Sequence, residues 1–514
     1  MRQALERPAK LGASLPYTLP APVGGWNARD AVAGMKPTDA LFLDNWIPTT
    51  AGCELVEGST EFASVTAGQV IYTLVPYKSP AGTTKLFAAS AAGLYDVTAG
   101  GAVGSVAVSA TNGKWQYAAI TTSGGSFLSL VNGVDTPKKY NGSAWSAQSL
   151  TGVTSSELVN VALAKRRLWF CRVSSLSVYY LAVDSIEGAL TAFDLGPVFR
   201  RGGYVMACGS WSLDAGEGLD DHFVAVSSEG EVAVYKGTDP SSASTWALVG
   251  VFYVGAPIGR RCLISLGGDL LLLTETGVFP LSKALQTATL TLQSAVSDKI
   301  VNAWQAYNDE WGSLYGWSGI VVPKHSLLVL NAPTQTESYS VQFAMNTVTK
   351  AWCRLLGKSA HCSTVYEGEA YHALANKVYK TFDGFETSSA SVTGSAKQAY
   401  TGLGSRGRSK HLKLLRPIFS STGTVTASMG VDTDFNLAAV GGSSTVSYTQ
   451  ALAQWDTSSW DDAYWSGGQM TVKSWRSANH QPGHTLAVRL RLTARRLKVV
   501  WTATDLIFEK GGLL

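Results

Sequence analysis

The stretch His222–Tyr235, HFVAVSSEGEVAVY, decides the fold class. Two apolar runs, Phe223–Ser227 and Glu231–Tyr235, flank a polar turn that contains Gly230. Short apolar runs separated by a glycine-bearing turn are typical of a β-hairpin. The stretch therefore predicts two antiparallel strands.

Segments of the same kind recur on both sides of this hairpin. They are Val70–Val75, Lys85–Ala89, Phe127–Val131, Arg167–Arg172, Asp269–Thr274 and Ser326–Leu330. The 52 glycines and the many serines and threonines favour turns over helices. The hairpin pairs are spaced roughly like propeller blades of about 40–50 residues, although no WD or kelch signature marks the repeat. We therefore expect an all-β protein built on a degenerate β-propeller, with a stack of β-sandwiches as the alternative.

The chain divides into four predicted parts. They are an extended N-terminal arm (1–60) punctuated by prolines, a propeller-like domain with insertions (61–385), a Ser/Gly/Lys-rich linker or loop (386–411), and a C-terminal β-sandwich or sheet (412–514). One short helix is predicted in the arm at Thr38–Trp46, with Thr38 as its cap. Apolar residues at helical spacing predict a second helix at Ser294–Tyr307. The arm has too little core of its own, so we expect Trp26, Phe42 and Trp46 to pack partly on a neighbouring subunit or ring.

Charge and composition restrict the class of protein. Charged residues make up 15% of the 514 residues and the net charge is only +4, which argues against a globally basic nucleic-acid binder. Residues 401–514 hold 13 Lys/Arg and 7 Asp/Glu, a net of +6, so the C-terminal part is the basic part. The six cysteines are scattered, which predicts free, mostly buried thiols. The sequence shows no secretory signal and no apolar run approaching the roughly 18 residues of a membrane span.

Each motif with possible chemistry lacks part of its required context. Residues 402–407 match the dinucleotide motif GxGxxG, but a polar linker precedes them where the motif requires a strand. Residues 357–359, Gly-Lys-Ser, resemble the end of a phosphate-binding loop, but Trp352 occupies the position that requires glycine. A possible zinc set lacks the usual ligand spacing. Two histidines four residues apart cannot share a helix face, because Pro482 and Gly483 lie between them. Three carboxylate clusters are of a kind expected by chance in a chain of this length. These residues are Cys353, His361, Cys362 and His372; His480 and His484; Asp220-Asp221, Asp432/Asp434 and Asp461-Asp462. We therefore expect no catalytic residue, no metal and no cofactor.

Two clusters remain as candidate surfaces. Trp455, Trp460 and Trp465 recur every five residues, which favours aromatic packing on a sheet over a sugar-binding face. Five cations lie within ten residues near the C-terminus, and on an extended strand Arg489, Arg491 and Arg495 share one face. They are Arg489, Arg491, Arg495, Arg496 and Lys498. This basic strand either lines a surface that meets nucleic-acid phosphates or is an ordinary solvated sheet face.

Three phrases resemble a family of phage virion proteins. They are PVGGWNARD (22–30) followed by DALFLDNWIP (39–48), GDLLLLTETGVFPLS (268–282), and WTATDLIFEKGG (501–512). The chain is similar there to the tail nozzle (tail tubular protein B-like) structural proteins of short-tailed bacteriophages. The phrases are spread over the whole chain.

The resemblance implies a function and a set of partners. It implies a non-enzymatic ring subunit in the tail of the virion, assembled in the cytoplasm of the bacterial host. Six copies would form a homo-hexameric tail tube below the portal and head–tail adaptor proteins, in contact with tail fibres or the tail tip. Double-stranded DNA would pass through the lumen, which the basic strand would help to line. The alternatives are a receptor-binding or glycan-depolymerising tail protein and a propeller-type binding module unrelated to phage.

Overall fold

The computed structural model describes residues 14–214, 219–286, 292–335, 339–387, 390–423, 425–436, 444–448, 470–471, 475–478 and 482–513. The chain separates into two compact units. Unit 1 contains residues 1–58, 351–355 and 384–514, and unit 2 contains residues 59–350 and 356–383. In the described part of the chain, no helix is both long and apolar enough to span a bilayer.

The elements are numbered in chain order. Residues 14–58 hold β1 (Ser14–Pro20), β2 (Gly25–Trp26), β3 (Asp39–Asp44), β4 (Trp46–Pro48) and β5 (Cys53–Leu55). Residues 59–151 hold β6 (Ser59–Val65), β7 (Thr73–Lys78), β8 (Thr84–Ala89), β9 (Gly93–Asp96), β10 (Gly101–Val103), β11 (Val108–Ser109), β12 (Gln116–Thr122), β13 (Gly125–Val131), β14 (Lys138–Tyr140), β15 (Trp145–Ala147) and β16 (Leu150–Thr151). Residues 152–280 hold β17 (Leu158–Ala164), β18 (Arg167–Arg172), β19 (Ser177–Tyr180), β20 (Gly188–Ala189), β21 (Thr191–Asp194), β22 (Val205–Asp214), β23 (Leu219–Ser227), β24 (Glu231–Gly237), β25 (Trp246–Tyr253), β26 (Leu263–Leu266), β27 (Asp269–Thr274) and β28 (Gly277–Pro280).

The remaining elements follow. Residues 281–383 hold α1 (Leu281–Gln286), α2 (Val301–Trp311), β29 (Ser318–Val322), β30 (Leu327–Thr334), β31 (Tyr339–Asn346), β32 (Trp352–Leu355), β33 (Cys362–Tyr366), β34 (Glu369–Leu374) and β35 (Lys377–Thr381). Residues from 384 onward hold β36 (Val392–Gln398), β37 (Arg408–Ser421), β38 (Val425–Thr433), β39 (Ser444–Tyr448), β40 (Met470–Thr471), β41 (Arg476–Ser477), β42 (Leu486–Ala494) and β43 (Val499–Leu513). Short 3-10 turns lie at Val32–Gly34, Ser155–Glu157, Leu292–Ser294, Asp298–Ile300 and Pro323–His325.

In the described residues of unit 2, seven sheets form a β-propeller, and a separate two-stranded sheet pairs β16 with β20. The innermost strands, in chain order, are β7, β12, β17, β22, β26, β29 and β33. Contacts run from β12 through β17, β22, β26, β29 and β33 back to β7. Between β7 and β12, the backbone N–H of Trp115 donates to the Thr73 hydroxyl at 3.1 Å. The ring is closed in the last sheet, where β6 pairs with β35 and matches Ser59 with Thr381. The expected all-β propeller is therefore confirmed, and the stacked-sandwich alternative does not describe this unit.

The apolar core of the propeller lies between neighbouring sheets. The hairpin quoted first is β23–β24, and Gly230 adopts φ +84° in its turn. Phe223 of this hairpin stacks on Trp169 of the preceding sheet with ring centroids 4.0 Å apart, and Trp246 stacks on Trp169 at 5.8 Å. Aromatic pairs of this kind add about 0.5–1.5 kcal/mol beyond their buried area. Face-to-face aromatic packing between sheets is thus one source of the propeller's rigidity.

Unit 1 is built from two sheets. One has the order β4-β5-β43-β37-β40, with β1 on β43 and β41 on β37; the other includes β3-β36-β42-β38-β39, with β2 and β32 beside β3. Gly394 of β36 lies where a Cβ atom would come within 2.6 Å of Trp46 Nε1 and 2.7 Å of Leu55 Cδ1, both on the other sheet. The two sheets therefore pack face to face at this glycine.

The N-terminal arm differs from the expectation. Residues 39–44 form strand β3 instead of a helix, because β3 pairs with β36 along one edge and tertiary pairing overrides the local helical pattern. Trp26 and Trp46 are buried within unit 1 of the same chain. These two side chains therefore do not need a neighbouring subunit for burial, whereas Phe42 is only half-buried and contact of the arm with a neighbour stays a prediction.

Two further segments were predicted with different success. The expected linker 386–411 contains β36, whose residues are largely buried, and Lys410 at its end is fully buried. The polar composition of this segment suggested an exposed linker, but β36 is an inner strand that pairs with β3 on one side and with β42 on the other. The helix predicted at Ser294–Tyr307 is confirmed with a shift in its bounds, as α2. Trp304 anchors it by donating its indole N–H to the Thr274 carbonyl at 2.9 Å.

Candidate functional site

The basic strand is β42 with the turn that follows it. Arg489 lies 2.9 Å from Asp432, measured from Nε to Oδ1, and Lys397 Nζ lies 2.6 Å from the other carboxylate oxygen. Asp432 and Lys397 are almost completely buried. Two cations thus share one carboxylate, and Lys397 also donates to the Asn436 carbonyl at 2.7 Å. Arg489 is therefore part of a buried ion cluster that ties β36, β38 and β42 together.

The other members of the basic strand differ in exposure. Arg495 and Arg496 both bind Glu386, at 2.8 and 3.1 Å. Lys498 binds Glu54 at 2.8 Å, and the carboxylate raises the pKa of Lys498. Arg491 is exposed on β42. Four of the five predicted channel-lining cations are thus paired with carboxylates of their own unit.

The glycine-rich segment 402–407 is organised around Lys410. The Lys410 ammonium donates to the carbonyls of Ser405, Arg408 and His484, the last two at 2.9 and 2.7 Å. Burial lowers its pKa. A strand, β37, follows the segment where a dinucleotide fingerprint needs a helix. One carbonyl of this segment, that of Ser405, thus accepts a hydrogen bond from a lysine of the chain itself.

The residues drawn as a zinc set have separate surroundings. His372 Nδ1 lies 2.7 Å from the Thr381 hydroxyl, and burial, followed by the nearby Lys358 ammonium, lowers its pKa to about 3. Burial raises the pKa of Cys362 to about 12. Among the described residues, no three His, Cys, Asp or Glu side chains are grouped as metal ligands. All six cysteines are buried thiols, as expected.

The carboxylate candidates have structural contacts where they are described. Asp221 accepts a hydrogen bond from the Ser212 hydroxyl at 2.5 Å. Asp434 accepts the backbone N–H groups of His484 and Thr485 at 2.8 and 3.0 Å. Lys358, expected at the end of a failed phosphate loop, is buried and donates to Ser59 at 3.2 Å. Asp461, Asp462, His480, Trp455, Trp460 and Trp465 lie outside the described residues.

Sequence reasoning missed a cavity on the axis of the propeller. This axial cavity of about 320 Å³ is lined by all seven innermost strands and by Arg260 and Arg261. A second cavity of about 570 Å³, here called the axial mouth, lies where the innermost strands begin. Lys114, Gln116, Arg260, Arg261, Tyr204, Tyr315 and Trp317 contribute to its lining. The adjacent arginines at 260 and 261 were the only local sequence signal, and only closure of the ring brings them close to Lys114.

Comparisons with known proteins do not assign a family. No protein family matches the sequence, and no curated protein matches it. Among solved structures, the computationally designed Ika8 protein aligns over 63% of this chain and 100% of its own, with 10% identity and a TM-score of 0.35. A mitotic checkpoint complex chain aligns over 63% and 94%, with 11% identity and a TM-score of 0.38. The BBS1N chain from its complex with ARL6DN aligns over 45% and 73%, with 14% identity and a TM-score of 0.30. Similarity at this level carries no information about function.

Proposed function

We propose that this chain is a structural, non-enzymatic subunit of a bacteriophage tail nozzle. In this proposal six copies form a closed ring in the virion tail, below the portal and adaptor proteins, and double-stranded DNA leaves through the ring's lumen. The subunits assemble in the bacterial cytoplasm, and the ring contacts tail fibres or the tail tip. The support comes from the sequence phrases that resemble nozzle proteins and from the contacts of those residues in the fold.

The observation that carries the proposal is the convergence of two of these phrases. Residues 22–48 and 501–512 are separated by more than 450 positions, yet both belong to unit 1. Trp46 and Trp501 are both fully buried, with ring centroids 6.0 Å apart in an edge-to-face arrangement. Resemblance at residues that form one core is more informative than resemblance at scattered surface positions.

The first phrase also forms a defined loop. Asn27 is buried, and its amide donates to Asp30 and Asp39, each at 2.9 Å. Gly25 has φ +81°, and a Cβ atom there would lie 2.6 Å from the Trp352 carbonyl oxygen. Asp44 binds Arg354 through two hydrogen bonds of 2.8 and 3.0 Å. The contacts of Gly25, Asn27 and Asp44 thus explain why these residue types occur at these positions.

Charge balance in unit 1 is consistent with a conduit. A protein that neutralises many phosphates binds DNA tightly and in a salt-dependent way, which would oppose its passage. Arg489, Arg495, Arg496 and Lys498 are compensated by carboxylates of their own unit. A surface that contains them presents little net positive charge to DNA, whichever way it faces.

The test of this proposal is cryo-electron microscopy of the phage particle. We expect this chain in a closed sixfold ring around a continuous axial channel wide enough for duplex DNA. A peripheral trimeric spike, together with activity of the purified protein on host glycans, would instead identify a receptor-binding or depolymerising tail protein. A particle that lacks the chain would overturn the assignment to the virion.

A further inference from the structure

The axial mouth of the propeller is rich in cations. Arg260, Arg261 and Lys114 contribute to its lining, and among the described residues no Asp or Glu lines either the mouth or the axial cavity. Neither arginine has a carboxylate within ion-pair distance among the described residues. In the described part of the chain, Arg260 and Arg261 therefore place positive charge at the propeller axis without a carboxylate beside them.

The two arginines are held by neutral groups. Arg261 donates through Nη2 to the Thr73 hydroxyl at 2.7 Å and to the Trp115 carbonyl at 2.9 Å. Arg260 donates through Nη1 to the Met206 carbonyl at 3.2 Å and lies over the Tyr204 ring. A guanidinium has five N–H donors, so the described contacts of Arg260 leave most of its donors without an acceptor. Burial lowers the pKa of Arg260, but the guanidinium group of an arginine stays protonated at neutral pH.

The adjoining axial cavity also contains a buried polar group without a partner among the described residues. Asn160 is more than nine-tenths buried and lines the axial cavity. Its amide nitrogen donates to the Arg260 carbonyl at 3.3 Å, while its side-chain oxygen accepts no hydrogen bond from the described residues. A buried polar atom without a partner costs about 1–3 kcal/mol, so such atoms usually have a partner in a ligand or in water. The Asn160 oxygen needs a donor, such as a water molecule in the axial cavity, so it does not contact the oxygens of an anion directly.

The aromatic residues of the mouth define the rest of the site. Tyr315 contacts two cations, with Lys114 Nζ 4.6 Å and the Arg261 guanidinium 5.3 Å from its ring centroid. Trp317 and Tyr204 also line the mouth. Its volume of about 570 Å³ falls within the range of small-molecule sites, about 300–1,000 Å³. The space is therefore suited to a small organic molecule and is too small for a folded partner.

We propose that the axial mouth of the propeller binds a small oxyanion, a carboxylate or phosphate compound, with Arg260 as its principal ligand-binding residue. The guanidinium supplies the fork of donors that matches a carboxylate or phosphate. Lys114 adds charge at the rim, and the aromatic rings contact the organic part. This site is separate from the proposed role in the tail and does not depend on it.

Isothermal titration of the full-length protein tests this proposal, with inorganic phosphate and citrate as probes at constant ionic strength. We expect one site per chain for at least one probe, and the tighter probe identifies the class of oxyanion. R260Q should weaken binding at least tenfold. The matched control is R166Q, since Arg166 is an exposed arginine on another part of the propeller, and it should bind like the wild type.

A second variant keeps the test decisive if R260Q is unstable. Gln116 lines both cavities, and Q116E places a carboxylate beside the arginines with almost no change in shape. This variant should keep or raise the melting temperature and lose the binding of both probes. Failure of both probes to bind the wild type at 10 mM, or equal affinity in wild type, R260Q and Q116E, would overturn the proposal.

Discussion

Asp432 shows how one residue can resemble a catalytic group in sequence and be structural in the fold. Its carboxylate lies between Lys397 and Arg489, and both Asp432 and Lys397 are buried. Two cations and one anion in a low-dielectric core depend on each other, since removal of the anion leaves like charges together. The cluster explains why a basic residue occurs at position 489 without any reference to DNA.

We predict that D432N destabilises unit 1 by about 3–5 kcal/mol, because buried Lys397 and partly buried Arg489 then lack a counter-charge. Chemical denaturation of the purified protein measures this change. E509Q is the control, since Glu509 pairs with Lys413 at a partly exposed site and should cost less than about 1 kcal/mol. Equal stabilities of D432N and E509Q would contradict the prediction.

His372 gives the propeller a specific sensitivity to acid. Its folded-state pKa of about 3 lies below the value of about 6.5 in an unfolded chain. The unfolded chain therefore binds a proton that the folded chain excludes. The stabilising contribution of neutral His372 is fully present above pH 6.5 and is lost as the pH falls toward 3, by up to about 1.4 kcal/mol per pH unit. Lys358, Thr381 and Tyr379 are the groups in contact with or near its ring.

We predict that H372Q is less sensitive to acid than the wild type. Glutamine keeps a polar group near the Thr381 hydroxyl and has no proton to gain. Between pH 7 and pH 5 the wild type should lose about 2 kcal/mol more unfolding free energy than H372Q. Parallel pH profiles of H372Q and wild type would show that His372 does not titrate on unfolding.

At the scale of elements, the N-terminal segment shows the limit of local patterns. Residues 39–48 have apolar residues that suit either a helix or a strand, and the helix prediction was wrong. The strand forms because β36 pairs along β3, and β36 lies about 350 residues later in the chain. Asn45 takes φ +59° between β3 and β4 and turns the chain, and its side-chain amide donates to the Thr393 carbonyl at 2.8 Å. No window of local sequence contains this information.

Gly394 of β36 makes the packing of the two sheets testable. A methyl group there would lie 2.6 Å from Trp46 Nε1 and 2.7 Å from Leu55 Cδ1. We predict that G394A destabilises unit 1 by about 1–3 kcal/mol through overpacking. G34A is the matched control, since nothing lies within 4 Å of the added atom, and it should change stability by less than about 0.5 kcal/mol. A neutral G394A in thermal or chemical denaturation would mean that the sheets separate easily at this point.

At the scale of the molecule, the class of fold was predictable and its closure was not. The hairpin His222–Tyr235 and its relatives predicted sheets of antiparallel strands, because turn glycines and apolar runs are local signals. The pairing of β6 with β35, which closes the ring, joins residues more than 300 positions apart. The axial mouth depends on that closure, so Arg260 and Arg261 had no visible partner in the sequence. The basic strand was found as a run of cations, but its pairing with Asp432, Glu386 and Glu54 depends on the tertiary fold.

The basic strand leads to the last prediction, which concerns the assembled particle. Arg489 is unsuitable as a probe of a DNA channel, because its substitution would disturb the Asp432 cluster. Arg491 is exposed on the same strand, so R491E changes the surface charge by two units with little effect on the fold. If β42 lines the lumen of the proposed ring, the added carboxylates repel the phosphates of the passing DNA. Charges on an exposed surface are screened within about 10 Å at 0.1 M salt.

We therefore expect R491E particles to eject DNA more slowly than wild-type particles at low salt and at the wild-type rate at high salt. Release of dye-labelled DNA from purified particles measures both rates. R166E, an equal charge change at an exposed site of the propeller, should eject like the wild type if that site lies outside the lumen. Wild-type ejection by R491E at every salt concentration would place β42 away from the DNA, and the proposed ring would then need a different lining.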